Sequence, residues 1–313
     1  MGFKVLRAFR SYEVVGGEVL NGGRVMDFYS YAANNIIARN PPLSPSVEVR
    51  GGWIELLTLE PLLISVGGVG KLIVNGKEVP LWRAYLLSES MIVRLEARGD
   101  SVAYLTVHGG LAPEGEEVPI ARGSSLIPLN PHYTLRELKE CLPALYLPER
   151  YLPRDRGVLE FVPLDGVWER GFFADKYTLA RKLLRRGYLL IASSPSKPLE
   201  ISEEEYFRPG SLAVRGRGEV LVPLSPTEGK FPKLGELTPE SMDYLARLTL
   251  RAPIKLKPIS LDDGESRISS YTSKLAKVEK VISAAMEAVK RGAKKLKVRV
   301  KGKLYEVWIE ELG

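Results

Sequence analysis

The chain reads as a mainly β protein: two strand-rich blocks, a few helices, and a C-terminal α-helix with a β-hairpin. Three observations predict this. Short apolar runs broken by glycine and proline recur through residues 1–128 and again through 157–260. They do not alternate regularly with helical segments, which favours barrels or sandwiches over βαβ units. From Ser260 the pattern changes to an apolar stripe at helical spacing, followed by two short strands. The expected organisation is a first β block over 1–128, a proline-rich connection over 129–156, a second β block over 157–260 and a C-terminal unit over 261–313.

Taken in order, residues 27–38, DFYSYAANNIIA, predict an early helix with Asp27 placed to cap it. Val66-Gly67-Gly68-Val69-Gly70 follows a strand but runs into another strand, so it reads as a tight β-turn and not as a phosphate loop. Leu72 to Val79 predicts a hairpin, because Asn75-Gly76 tolerates the positive φ angles of a two-residue turn. Ser101–Val107 is a further strand, ending at His108-Gly109-Gly110. The connection holds one short helix, LRELKECL. The second block is expected to carry a helix over Lys176–Arg186, then strands at Tyr188–Ala192 and Val220–Leu224, then a short helix at Met242–Leu248. In the last unit Leu275, Val278, Ile282, Ala285, Met286 and Val289 form one apolar stripe, and Gly292 stops the helix. That stripe is expected to pack on the second barrel or on a neighbouring subunit. A turn at Lys301-Gly302 would place Val298 opposite Tyr305 and Leu296 opposite Val307.

The bulk composition narrows the function. At 313 residues with 45% apolar content, the chain can bury two cores. No run of eighteen uncharged apolar residues exists, and the N-terminus has no secretory pattern, so a reducing, cytoplasmic setting without a membrane is expected. Cys141 is the single cysteine, and His108 and His132 are the only histidines, which argues against a cysteine- or histidine-based metal site. The net charge of +7 is local. Lys274 to Lys303 holds eleven cations against Glu279 and Glu287, or +9, leaving about −2 elsewhere. Nucleic acid is not the expected partner, since only Tyr305 and Trp308 offer stacking surfaces there. The Lys, Arg and Glu content would suit a thermophilic source. No P-loop or G-x-S-x-G elbow occurs.

Residues 225–235, SPTEGKFPKLG, carry more chemistry than a turn needs: a hydroxyl, a flexible Gly229 and two ammonium groups. Together with GGRVMDFYSYAANNIIARN, GGWIEL, ISVGGVGKLIVNGKEVPLW, AYLTVHGGL and ISEEEYFRPGSLAV, this crossing resembles the biotin-dependent carboxyltransferase family. That family includes the C subunit of 5-oxoprolinase, the matching half of the urea carboxylase transferase domain, and proteins called allophanate hydrolase subunit 2. The resemblance spans roughly residues 12–260. Thr227, Gly229, Pro232, Lys233 and Gly235 match the family's ligand-facing loop, with Phe231 in place of tyrosine. Leu224, Ser225 and Pro226 stand where the family has Asp, Arg and Gln. Losing arginine matters, because a guanidinium fork grips a carboxylate in a way that lysine does not.

The resemblance implies two cyclophilin-like β-barrel domains. It also implies an ATP-dependent 5-oxoprolinase complex, in which this chain works with A (LamB/YcsF-like) and B (KipI-like) subunits to convert 5-oxo-L-proline to L-glutamate. The alternatives are transfer of a carboxyl group to a small amide or urea-like nitrogen from biotin on a separate carrier, or a regulatory scaffold. The expected catalytic residues are Thr227, Lys233 and Asp27. The expected ligand-binding residues are Gly67, Gly68, Gly229, Lys230, Phe231, Arg24 and Ser202, with backbone N–H groups and ammonium ends facing an anion. Asp27 reads first as a helix cap, and Lys233 equally as a solvated turn lysine.

Overall fold

A computed structural model describes residues 2–16, 25–114, 120–130, 134–154, 157–164, 176–183, 187–194, 205–215 and 218–310. The protein is mainly β, as the sequence predicts. Its first half is organised by two long strands, β1 (Phe3–Val15) and, after α1 (Phe28–Ile37), β2 (Ser46–Thr58). Eight shorter strands join them: β3 (Leu62–Gly68), β4 (Gly70–Val74), β5 (Lys77–Val79), β6 (Arg83–Leu87), β7 (Ile92–Ala97), β8 (Val102–Val107), β9 (Leu111–Pro113) and β10 (Ser125–Pro128).

The glycines of GGWIEL explain how this sheet folds over. Val47–Arg50 of β2 pairs with β8, whereas Trp53–Leu57 pairs with β7. The change of partner falls at Gly51 and Gly52. Gly51 has φ +55, and a Cβ on Gly52 would lie 2.0 Å from the Phe9 carbonyl oxygen. The Asn75-Gly76 hairpin forms as expected, with Leu72 opposite Val79 and positive φ at both turn residues. The tight turn expected at 66–70 does not form. β3 pairs with β8 and β4 with β7, so Gly68, at φ +99, hands the chain from one partner to the next.

α1 is buried along nearly its whole length, and Asp27 caps it by accepting from the Ser30 amide. The connection carries α2 (Leu135–Cys141), held at its start by a reciprocal Thr134–Glu137 capping box. Then comes a closed barrel built from β11 (Val158–Pro163), β12 (Tyr177–Leu183), β13 (Gly187–Ala192), β15 (Ser211–Val214), β16 (Glu219–Pro223), β18 (Lys233–Leu237) and β19 (Pro253–Pro258). A parallel β11–β19 pair closes it. Outside the barrel, β14 (Glu205–Phe207) and β17 (Thr227–Gly229) form a separate pair. The cyclophilin-like expectation of barrel architecture holds here, while the first sheet folds over without a closing pair among the described residues.

The helix expected over Lys176–Arg186 is a strand over its described part. Lys, Leu and Arg are good helix formers, but Tyr177 and Leu179 alternate inward with Thr178 outward, and β12 bridges β13 to β19. Barrel closure overrides local propensity at this place. The interior it helps to fill is shared. Leu179, Tyr188, Leu212 and Val222 of the barrel form one apolar cluster with Val15, Tyr31, Val102 and Tyr104 of the first half.

The helix read at Met242–Leu248 is α3 (Pro239–Arg247), capped by Thr238 with proline at its start. α4 (Leu261–Lys290) begins at its Ser260 cap, and Gly292, at φ +86, follows its end. Its stripe departs in part from the expectation of packing on the second barrel: Leu275 lies against the cluster the barrel shares, but most of the stripe turns elsewhere. Val278, Ile282, Ala285 and Met286 pack on Ala33, Ile36 and Ile37 of α1 and on Leu138, Ala144 and Leu145 of the connection. The chain closes with β20 (Lys294–Val300) and β21 (Lys303–Ile309), in the expected register. No helix among the described residues is long and apolar enough to cross a membrane.

Candidate functional site

Where α1, α3, α4 and the end of the connection meet, a cavity of about 270 Å³ opens to the surface. Tyr29, Tyr244 and Tyr271 supply its aromatic wall, and Arg150, Arg154, Arg247 and Lys274 its cations. Each comes from a different constraint. Tyr29 lies in the first turn of α1, where Lys274 of α4 stands 4.1 Å over its ring. Asp243 and Arg247 lie one helical turn apart on α3, so they reach the same region. Arg150 and Arg154 lie in the segment just before β11, and the Arg150 guanidinium rests 4.9 Å from the Tyr151 ring. Among the described residues neither arginine makes an ion pair.

The back of the cavity is a carboxylate arrangement at the positive end of α1. Asp243 is buried, and its two oxygens accept from the backbone amides of Phe28 (2.7 Å) and Tyr29 (3.2 Å) and from the Tyr271 hydroxyl (2.5 Å). Burial pushes its pKa well above the usual carboxylate range, and the nearby charge of Asp27 pushes the same way. Tyr271 is raised by burial and then by Asp243. Asp27 is also fully buried; it accepts from Ser30 and forms an ion pair with Arg247 at 3.1 Å. Behind it, Glu48 accepts from the Met26 amide at 3.0 Å and from the Tyr104 hydroxyl at 2.6 Å, and Arg50 joins Glu48 to Glu13. Chemically, the cavity offers the Arg150 and Arg154 guanidinium groups, the carboxylates of Glu160 and Glu240, and an Asp243 carboxyl that holds its proton unusually tightly at its back.

The residues singled out in the sequence fall elsewhere, with Asp27 the nearest to this place. Asp27 is the α1 cap and the partner of Arg247, at the base of the arrangement. Gly67 and Gly68 do not floor an anion site. They are buried in β3, paired with Tyr104 and Ala103, and a Cβ on Gly67 would meet the Trp82 ring at 2.9 Å. The crossing at 225–235 is not one open loop. Thr227 and Gly229 are exposed or half-buried in β17, opposite Phe207 and Glu205, and the Phe231 ring covers Gly229. Lys230 is exposed, while Lys233 starts β18 with its ammonium 2.7 Å from Glu236. Arg24, Ser202 and His132 lie outside the described residues. His108 is a buried structural histidine whose Nδ1 lies 2.8 Å from the Ala38 carbonyl oxygen. No group of three or more His, Cys, Asp or Glu that could hold a metal exists among the described residues.

Sequence reasoning missed Asp243, Arg247, Tyr271, Arg150 and Arg154. One signal was present in SMDYLAR: an aspartate on the same apolar helix as Tyr244 and Leu245, where a buried carboxylate needs a partner.

Residues 19–119 match the family model described as the carboxyltransferase domain, subdomains A and B. That match covers the part of the chain from residue 19 to residue 119, over which the chain is similar to the carboxyltransferase domain. The resemblance read in its sequence is borne out over residues 19–119. No curated protein sequence matches this carboxyltransferase-like chain. Among solved structures, it is similar to Kluyveromyces lactis urea amidolyase, with TM-score 0.73 and 16% identity over 88% of this chain and 20% of that one. It is similar to K. lactis urea carboxylase, with TM-score 0.71 and 15% identity over 88% of this chain and 29% of that one. TTHA0988 gives TM-score 0.67 and 21% identity over 82% of this chain and 56% of that one. At these identities the likeness is one of fold. The carboxyltransferase-like chain thus spans between a fifth and somewhat over half of the solved chains it resembles.

Proposed function

We propose that this chain is the carboxyltransferase-type subunit of a multi-component enzyme acting on a small amide, and that its cavity holds a substrate bearing a carboxylate. One observation carries the reading: Arg150 and Arg154 line an open cavity and neither forms an ion pair among the described residues, although Glu160, Glu240 and Asp243 line the same cavity. Two guanidinium forks outside any ion pair suit a planar carboxylate held through paired hydrogen bonds.

Of the reactions that the family resemblance brings, the one with such a substrate is ATP-dependent opening of 5-oxo-L-proline to L-glutamate with A and B subunits. An amide resists water because resonance stabilises it. In this reading ATP supplies activation of the lactam oxygen at the level of the complex, and no residue of this chain is assigned to it. This chain's own groups hold and orient. Arg150 and Arg154 grip the carboxylate, and Tyr29 and Tyr271 wall the ring. Asp243 keeps a proton near the amide, the task for which a raised carboxyl pKa suits a general acid.

A second reading is favoured by the match to the carboxyltransferase domain. It is transfer of a carboxyl group to an amide or urea-like nitrogen, with biotin on a separate carrier, since the chain has no Met-Lys-Met acceptor. A scaffold role is the third reading. A cytoplasmic complex fits all three. The test mixes the chain with A and B subunits, ATP and 5-oxoproline and follows glutamate. Release that depends on this chain is expected. Release no greater than in a mixture lacking it would overturn the proposal, and chain-dependent carboxylation of urea with a biotin carboxylase and carrier would establish the second reading.

A further inference from the structure

The hydroxyls of the three tyrosines that line the cavity have different fates. Tyr29 donates to the Tyr151 carbonyl oxygen at 2.5 Å, so its proton is committed to the connection. Tyr244 accepts from the Gly157 amide at 3.0 Å. Tyr271 instead meets the buried Asp243 carboxyl, with 2.5 Å between their oxygens. Its phenol is held from both sides along α4. Arg267, one turn before it, forms an ion pair with Glu160 of β11 at 3.0 Å, and Lys274, one turn after it, stands over the Tyr29 ring. The rings of Phe28 and Tyr29 pack 6.5 and 6.3 Å from its own.

Hydrogen-bond directions decide which of the two groups can release a proton into the cavity. Asp243 turns Oδ1 to the Phe28 amide and Oδ2 to the Tyr29 amide, and both amides only donate. A carboxyl proton aimed at either would meet another hydrogen. The Tyr271 oxygen can receive it, because a hydroxyl accepts as well as donates. Burial and the charge of Asp27 favour the protonated acid, against Arg247, and the same two charges act on Tyr271. Glu160 and Glu240 add negative charge around the cavity, and Arg150, Arg154 and Lys274 add positive charge. Between oxygens 2.5 Å apart there is room for one proton. When Asp243 supplies it, the Tyr271 hydrogen turns out toward the cavity. We propose that Tyr271 is a catalytic proton donor, whose hydroxyl protonates the nitrogen that departs as the lactam opens, and that Asp243 refills it. This rests on the reading of the reaction as lactam opening. Water adds its hydroxyl to the carbonyl carbon, the C–N bond breaks, and its electron pair stays on the nitrogen, which takes the Tyr271 proton. The Asp243 proton moves to the Tyr271 oxygen, and the proton left by the attacking water restores the acid.

The experiment follows glutamate release from 5-oxoproline and ATP, as a function of pH, by the full-length chain assembled with A and B subunits. Tyr271→Phe keeps the ring and removes the hydroxyl. It is expected to lower kcat by about 100-fold or more, the loss typical of a removed general acid, while KM for 5-oxoproline stays within about twofold. A second variant carries ortho-fluorotyrosine in place of Tyr271, which keeps the hydroxyl but makes it more acidic. The alkaline limb of its kcat profile should move to lower pH, since the protonated pair is the active form. A tyrosine that only fills space would leave that limb in place. Turnover retained in Tyr271→Phe, with the limb moved to higher pH, would assign delivery to Asp243 itself and overturn the proposal. So does an unmoved limb in the fluorinated variant, whatever Tyr271→Phe does to folding. A wild-type assembly that releases no glutamate removes the reaction and the donor role with it. Wild-type release with an unmoved limb in the fluorinated variant removes the donor and leaves the reaction.

Discussion

Asp27 was legible in the sequence as a helix cap, and that is what it is. Its partner was not, because Arg247 reaches it from 220 residues away. Two charges buried together tolerate the loss of one partner poorly. Arg247→Met is therefore expected to lower unfolding free energy by about 3–5 kcal/mol in urea titrations, because it strands the Asp27 carboxylate. Lys182 gives a pH-dependent counterpart. Its ammonium donates to the Ala246 carbonyl at 2.7 Å, and burial pulls its pKa down to about 7 against the opposing pull of Asp100 and Asp27. The folded chain then releases this proton before the unfolded chain, whose lysine titrates near its ordinary value. Between pH 7 and 10 the unfolded state binds more protons, so this group makes stability rise with pH. Lys182→Met should melt at higher temperature than the wild type at pH 6 and rise less steeply across pH 7–10. Parallel curves for the two proteins would contradict this.

At the scale of elements, local patterns succeeded where neighbours in sequence decide the outcome. Asn75-Gly76, the end of α4 before Gly292 and the terminal hairpin register all depend on turn and cap chemistry within a few residues. Reading failed where a distant partner decides. Lys176–Arg186 carries helix-forming residues, yet β12 is pinned by β13 on one side and β19 on the other. Gly67 and Gly68 looked free to face a ligand, but β8 occupies their edge and Trp82 their face. The stripe on α4 was visible; its destination was not. Because Ile282 is 1% exposed within the cluster that α4 completes, Ile282→Ala should cost about 2–5 kcal/mol by denaturant unfolding. Deleting 265–313 should lower the melting temperature, since it uncovers α1 and the connection together. A truncated chain as stable as the whole would contradict that packing.

For the whole molecule, the fold places the candidate cavity at a junction. The β-rich frame and the family likeness were both legible, because glycine-led strands and hairpins carry them. The cavity was not, since five separate segments assemble it: the first turn of α1, residues 150–154, β11, α3 and α4. None of those segments has a motif by itself. The most direct test is steady-state kinetics of the enzyme assembled with A and B subunits, comparing wild type with Arg150→Ala/Arg154→Ala. Both arginines are exposed, so the double variant should fold and assemble normally. The account predicts glutamate release with KM for 5-oxoproline raised about tenfold or more, as expected for lost charge-assisted hydrogen bonds, and with kcat largely kept. An unchanged KM in an active assembly would contradict it.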